Sequence, residues 1–126
     1  DKTLQKKVED LPELLKTNIE LILGNHDVGC DIKNLKIFNT RKTKNLSFSH
    51  EPVNSEDNKT LNICGHYHPK IYLKNNGDKL SFRCFAMDMK KNTLYLPAFG
   101  DLTGGYPCKK SFKKWAILSE NEILEI

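Results

Sequence analysis

Cysteine is sparse: the chain has four in 126 residues, at Cys30, Cys64, Cys84 and Cys108, and no two share the Cys-x-x-Cys spacing of a redox or paired zinc motif. A disulfide scaffold is thereby excluded, and reduced thiols in a cytoplasmic protein are the reading that fits. Arginine is scarcer still. Arg41 and Arg83 stand alone, so the net charge of +4 is lysine's, a surplus that permits nucleic-acid binding without requiring it. The abundance of Lys and Asn is equally well explained by genome composition. No apolar run approaches the roughly 18 residues of a membrane span, and a soluble protein is expected. Internal repeats and low-complexity tracts are absent, and so is an initiator Met. The chain opens on Asp1 and offers one domain's worth of residues, so residues 1–126 read as a single, N-terminally truncated domain.

Leu4, Val8, Leu11 and Leu15 recur at helical spacing, which predicts an amphipathic helix over 3–16, lying on the outside of a sheet, with a kink or a restart at Pro12 capped by Asp10 and Glu13. Residues 19–23 form a short apolar run closed by Gly24, as in a buried strand that delivers Asn25, His26 and Asp27 at its C-terminal end. Further strands are expected at 35–38, 46–48, 61–64, 71–73, 80–86, 93–96 and 115–118, separated by Asn, Gly, Asp and Lys clusters. Asn75-Asn76-Gly77-Asp78 between two alternating runs signals a hairpin, because Asn-Gly suits a turn with positive φ.

The four histidines all sit in short motifs: Gly24-Asn25-His26-Asp27, Ser49-His50-Glu51 and Gly65-His66-Tyr67-His68. Asn25 offers an amide oxygen, and His50, His66 and His68 offer imidazole nitrogens, a donor set suited to Mn, Fe, Zn or Ni more than to Ca or Mg. His66 and His68 point to one side of an extended chain, and Gly65 allows a tight turn before them. A Cys2His2 zinc site from Cys30, Cys64, His66 and His68 is disfavoured, since Cys30 has no close partner. Cys64 reads instead as a small buried strand residue.

In this order the motifs resemble the back half of a calcineurin-like metallophosphoesterase. Cys64-Gly65-His66-Tyr67-His68-Pro69, Arg83-Cys84-Phe85, Leu96-Pro97-Ala98-Phe99-Gly100 and Thr103-Gly104-Gly105 extend the likeness to the ligase-associated DNA damage response endonucleases, over residues 19 to about 106. The resemblance implies an α/β fold, a two-sheet sandwich flanked by helices with its site at the strand ends, of which this chain is the C-terminal, strand-rich portion. It implies two divalent metal ions in the complete enzyme, Mn foremost with Fe, Zn or Ni as alternatives, since two ions about 3.5–4 Å apart can activate water and clamp a phosphoester. Asn25, His50 and His66 would ligate one ion and His68 the other. His26, oriented by Asp27, would act on the leaving group as general acid. The family's Asp-x-His and Gly-Asp motifs have no counterpart here, and Asp1 is a weak candidate to replace them.

The function implied is hydrolysis of phosphodiester bonds, with DNA as the substrate of that branch. A phosphatase or cyclic-nucleotide phosphodiesterase is the competitor, and a non-catalytic remnant that binds nucleic acid or a partner protein is the reading from another class. Lys109, Lys110, Lys113 and Lys114, together with Arg83, are the candidate contacts to a nucleic-acid backbone. A solvated surface accounts for the same lysines.

Overall fold

The helix expected over 3–16 breaks at Asp10, two residues before Pro12. In the computed structural model, which describes residues 2–27, 29, 31–54, 59–100 and 103–126, it becomes α1 (Lys2–Glu9) and a single turn, α2 (Leu11–Leu14), with Pro12 in its first turn. The restart is right, but the cap is not. Asp10 has a helical backbone and its side chain makes no capping bond. The helix covers only part of its apolar stripe: Val8 and Leu11 are half-buried, while Leu4 and Leu15 are exposed. What anchors α1 is polar. Glu9 accepts from the Lys33 N–H, Gln5 donates to the Asp31 carbonyl, and Asn34 donates to the Glu9 carbonyl. Asp1 and Cys30, both considered above as ligands, lie outside the described residues.

Among the described residues, those after residue 19 form strands joined by turns and loops, with no further helix. β1 (Glu20–Ile22) pairs in parallel with β2 (Lys36–Phe38) as a small sheet. The larger, mixed sheet has nine strands: β3 (Thr40–Lys42), β4 (Leu46–Ser49), β5 (Leu61–Cys64), β6 (Pro69–Asn75), β7 (Asp78–Asp88), β8 (Thr93–Tyr95), β9 (Tyr106–Pro107), β10 (Lys113–Ser119) and β11 (Glu122–Glu125). Its main path runs β11-β10-β7-β8-β5-β4-β3, and β6 leaves it by pairing with β7 on one side and β9 on the other. The result is a strand-rich α/β fold. Helices flanking a sandwich are not found among the described residues, where α1 and α2 are the only helices. The hairpin between β6 and β7 turns at Asn76 and Gly77, both at positive φ (45° and 94°), as an Asn-Gly turn requires.

Two features of the sheet position the site. The first is direction: β4, β5 and β8 are parallel neighbours, so the residues that follow them, His50, Gly65-His66 and Leu96 onward, all emerge at the same end. The second is which face is buried. Along β4 and β5 the alternation buries Ser47, Ser49, Asn62 and Cys64 and leaves Leu46, Phe48, Leu61 and Ile63 half-buried. A row of polar side chains, Ser47, Asn62, Thr93 and Asp88, thus runs in register across four strands inside the molecule. Beside it lies a core of Cys64, Ala86, Tyr95 and Phe112, with Tyr95 and Phe112 stacked at 5.6 Å. Burial pushes the Cys64 thiol up to about 11, so it stays a neutral packing group, as a small strand residue should.

Burying Asn62 requires that its amide be satisfied, and it is. Its Nδ2 donates to the Ser47 carbonyl (3.2 Å) and Ser49 Oγ (3.0 Å), and its Oδ1 accepts from the Val53 N–H (3.1 Å). Ser49 Oγ in turn donates to the Glu51 carbonyl (2.6 Å). One side chain therefore ties both flanks of His50 to the sheet. Asn62→Ala is expected to cost about 2–3 kcal/mol, from the stranded Ser47 and Ser49 groups, and to lower the melting temperature by roughly 10 °C. On the expectation that His50 ligates a metal, the same variant should weaken that binding about 10- to 100-fold, as loss of an outer-sphere support does. A thermal melt with a metal titration reads both; full stability in the variant would refute the assignment.

Candidate metal centre

Three loops meet at the common strand end. The first follows β1, where Gly24, Asn25, His26 and Asp27 form a turn closed on itself: the Gly24 N–H donates to Asp27 Oδ2 (2.8 Å) and the Asp27 N–H donates to the Gly24 carbonyl (3.0 Å). A Cβ on Gly24 would sit 2.9 Å from Asp27 Oδ2 and 3.2 Å from the His50 ring, so glycine here is favoured first by the Asp27 carboxylate of its own turn and then by the approach of the second loop. That second loop carries His50 after β4. In the third, after β5, the Gly65 and His66 N–H groups both donate to the His50 carbonyl at 3.1 Å. The backbone itself locks the His50 and His66 loops together.

The side chains converge accordingly. His50 Nε2 stands 3.0 Å from Asn25 Oδ1 and 3.1 Å from His66 Nδ1, with the two imidazoles edge to face at 5.0 Å between centroids. Two nitrogens and an amide oxygen crowded in this way cannot all be satisfied by one another, because a neutral imidazole has only one N–H. Their spacing does fit a shared cation: two donor atoms each about 2.1 Å from one ion and at right angles are about 3.0 Å apart. The residues present suit a borderline divalent ion. A groove of about 470 Å³ opens beside Asn25 and His50, lined also by Ser49, Glu51 and Val53.

The remaining sequence-derived candidates fall in different places. His68 is half-buried on the same turn as His66, and its φ of 47° is left-handed, a conformation uncommon for non-glycine residues. Burial, and then the charges of His50, His66 and Lys70, hold it below the ordinary histidine value, so it is neutral at pH 7 with a lone pair to give. It nevertheless stands outside the Asn25–His50–His66 group; among the described residues no three His, Cys, Asp or Glu side chains converge as ligands. His26 is exposed on the Asn25 turn. Asp27, expected to orient it, bonds through its Oδ2 and its N–H to the Gly24 backbone.

Of the basic residues, Lys109, Lys110 and Lys113 are exposed. Lys114 and Arg83 are engaged within the chain. Lys114 Nζ bridges the Lys109 and Lys110 carbonyls, both at 3.4 Å, and Arg83 Nη1 bridges the Ala98 and Phe99 carbonyls at 3.1 and 2.9 Å. Both stabilise turns.

Sequence reasoning missed two supports of the site. Asn62 had a signal, a polar residue in the middle of the apolar run Leu61-Asn62-Ile63-Cys64. The other is the segment from Gly105 to Pro107, which grips the His66–His68 turn. Tyr67 donates its hydroxyl to the Pro107 carbonyl (2.6 Å) and stacks on Tyr106, and the Tyr106 N–H donates to the His68 carbonyl (3.2 Å). Nothing short of the fold reveals that one.

Among solved structures the chain is similar to the nuclease MPE of Pseudomonas putida, with a TM-score of 0.75 and 25% identity over 95% of this chain and 60% of that one. This chain has a nuclease-like α/β fold. It spans 60% of the length of that nuclease. No protein-family model matches the chain, and no curated protein matches it significantly in sequence. Among the described residues no helix is long and apolar enough to cross a membrane.

Proposed function

We propose that the chain carries one metal-binding face of a metallophosphoesterase that hydrolyses phosphodiester bonds in DNA, of the calcineurin-like, repair-linked endonuclease kind that its motifs resemble. The observation that carries this reading is the convergence of Asn25 Oδ1 and His66 Nδ1 on His50 Nε2, each within 3.1 Å of it, at the mouth of an open groove. These three would hold one divalent ion, Mn foremost, and His68 would serve a second. When bound, such an ion supplies Lewis acidity toward a phosphoryl oxygen and lowers the pKa of water. Three protein ligands leave coordination positions open for substrate, as catalytic sites do.

The chain's own groups account for the rest. His26, exposed on the turn that carries Asn25, is placed to hold a proton for the leaving oxygen. Gly24 lets the His50 ring close over that turn. Lys109, Lys110 and Lys113 face water after the Tyr106–Pro107 strand, and their charge would attract a polyanion. The nuclease named above supports a nucleic-acid substrate over a small phosphoester.

The deciding experiment pairs two substrates. With Mn, Lys109→Glu combined with Lys110→Glu and Lys113→Glu should lower DNA cleavage at least 10-fold, with a shallower salt dependence, while hydrolysis of a small aryl phosphodiester stays unchanged. Equal loss on both substrates, or none on DNA, would favour the phosphatase or cyclic-nucleotide reading. Absence of hydrolysis with full metal loading would favour a non-catalytic remnant.

A further inference from the structure

Phe99 is fully exposed, at 103% of the reference area, while its neighbour Ala98 is 5% exposed. The contrast is built into the backbone. Arg83, reaching from β7, donates to the carbonyls of both residues, which turns the Ala98 methyl inward and fixes the point from which the phenyl projects. Gly100 follows, its carbonyl accepting from the Thr103 N–H at 3.3 Å. A ring on a loose tip would be unremarkable, since single exposed apolar side chains are common. Here a guanidinium clamp holds an aromatic ring in water.

Its position is equally defined. The segment carrying Phe99 leaves β8 at the same sheet end as His50 and His66, and the Leu96 N–H donates to the Cys64 carbonyl (2.8 Å) just before Gly65. Leu96 lines one hollow together with His50 and Gly65. With consecutive Cα atoms about 3.8 Å apart, Phe99 lies within about 11 Å of Leu96 along the chain. The far end of the same loop is tied to the histidine turn, through Lys70 Nζ to the Thr103 carbonyl (3.2 Å) and the Tyr106 N–H to the His68 carbonyl (3.2 Å). Tyr106, 65% exposed, stacks one face on Tyr67. The loop therefore presents aromatic surface flanking the candidate metal centre, with Lys109 and Lys110 next in the chain.

We propose that Phe99 is a base-stacking residue: its ring receives a nucleobase of the strand whose phosphate lies at the Asn25–His50–His66 cluster. This rests on the nucleic-acid reading above and adds to it a contact with the base rather than the phosphate. The chemistry favours a base over other apolar partners, because an exposed aromatic ring with exposed lysines further along the same chain can take the two parts of a nucleotide separately, the π-face on the ring and the phosphate on the charges.

The test compares two fluorescent single strands of equal length, about 12 nucleotides, one with normal bases and one abasic throughout, both phosphorothioate-linked to resist cutting and bound at low salt with Mn present. Wild-type protein should prefer the base-bearing strand. Phe99→Ala should weaken binding of that strand about 10-fold, the loss of one stacked base, and change the abasic strand less than about 2-fold, whereas Phe99→Trp should retain affinity and show tryptophan quenching on binding. Unchanged binding in Phe99→Ala, or equal loss on both strands, overturns the stacking role and leaves the nucleic-acid reading standing. A wild type that binds neither strand overturns both. A melting temperature more than about 5 °C lower in Phe99→Ala would show that protein covers the ring, since an exposed side chain contributes little to stability, and would also sink the proposal.

Discussion

Replacing His50 by Ala is expected to abolish metal binding while leaving the fold intact. Its Nε2 is the middle donor of the cluster, 3.0 Å from Asn25 Oδ1 and 3.1 Å from His66 Nδ1, so its loss leaves two donors with nothing between them. The structural bonds of the same residue run through its carbonyl, which accepts from the Gly65 and His66 N–H groups, and alanine keeps those. Affinity for Mn should fall more than about 100-fold, since even outer-sphere supports are worth about 10- to 100-fold. The readout is ligand-induced stabilisation: Mn at about 100 times its Kd should add about 2.7 kcal/mol to the wild type and essentially nothing to the variant, with hydrolysis lost in parallel. A variant that melts with the wild type and is still stabilised by Mn would remove His50 from the metal centre. Asn25→Ala is the milder companion, removing a neutral oxygen donor on an exposed turn.

Much of the sheet was readable from apolar runs bounded by turn residues. The run at 61–64 is β5 itself, and those at 46–48, 71–73, 80–86 and 115–118 lie inside longer strands. β3, β9 and β11 were not readable, for physical reasons. Thr40-Arg41-Lys42 and Tyr106-Pro107 have no apolar alternation to betray them, and Glu122–Glu125 is exposed at every residue; such strands exist because a neighbour's unpaired backbone accepts them, which no local pattern encodes. The amphipathic pattern of the first helix misled in the opposite direction. Leu4 and Leu15 of its stripe are exposed and Val8 and Leu11 only half-buried, and Glu9, Gln5 and Asn34 hold it by polar bonds. Within the site, short motifs disclosed which donors exist. They could not disclose that His66 reaches the His50–Asn25 pair while His68, two residues on, does not, because that depends on the left-handed turn at His68.

That turn is held from outside, and Gly105→Ala should release it. A Cβ at Gly105 would run into the His68 carbonyl oxygen and lie 2.9 Å from Lys70 Cγ. The lysine can swing aside, but the carbonyl cannot without giving up the Tyr106 N–H bond it accepts. Gly105 is absent from the positive-φ residues, so its need for glycine is one of space and not of conformation. Moving it would strain the pairing of β9 with β6, the Cys108 N–H bond to the Lys70 carbonyl (2.9 Å) and the Tyr67 bond to the Pro107 carbonyl (2.6 Å). A cost of about 3 kcal/mol follows from losing two or three such bonds at about 1 kcal/mol each, a drop of about 10 °C in melting temperature. A nearby glycine supplies the control. A Cβ at Gly104 would meet nothing within 4 Å, so Gly104→Ala should stay within about 0.5 kcal/mol of wild type. If the two alanine variants melt together, the Gly105–Pro107 segment does not brace the histidine turn. If Gly105→Ala alone is destabilised and also binds Mn more weakly at temperatures where it is fully folded, then the His66–His68 geometry depends on a strand that carries no ligand.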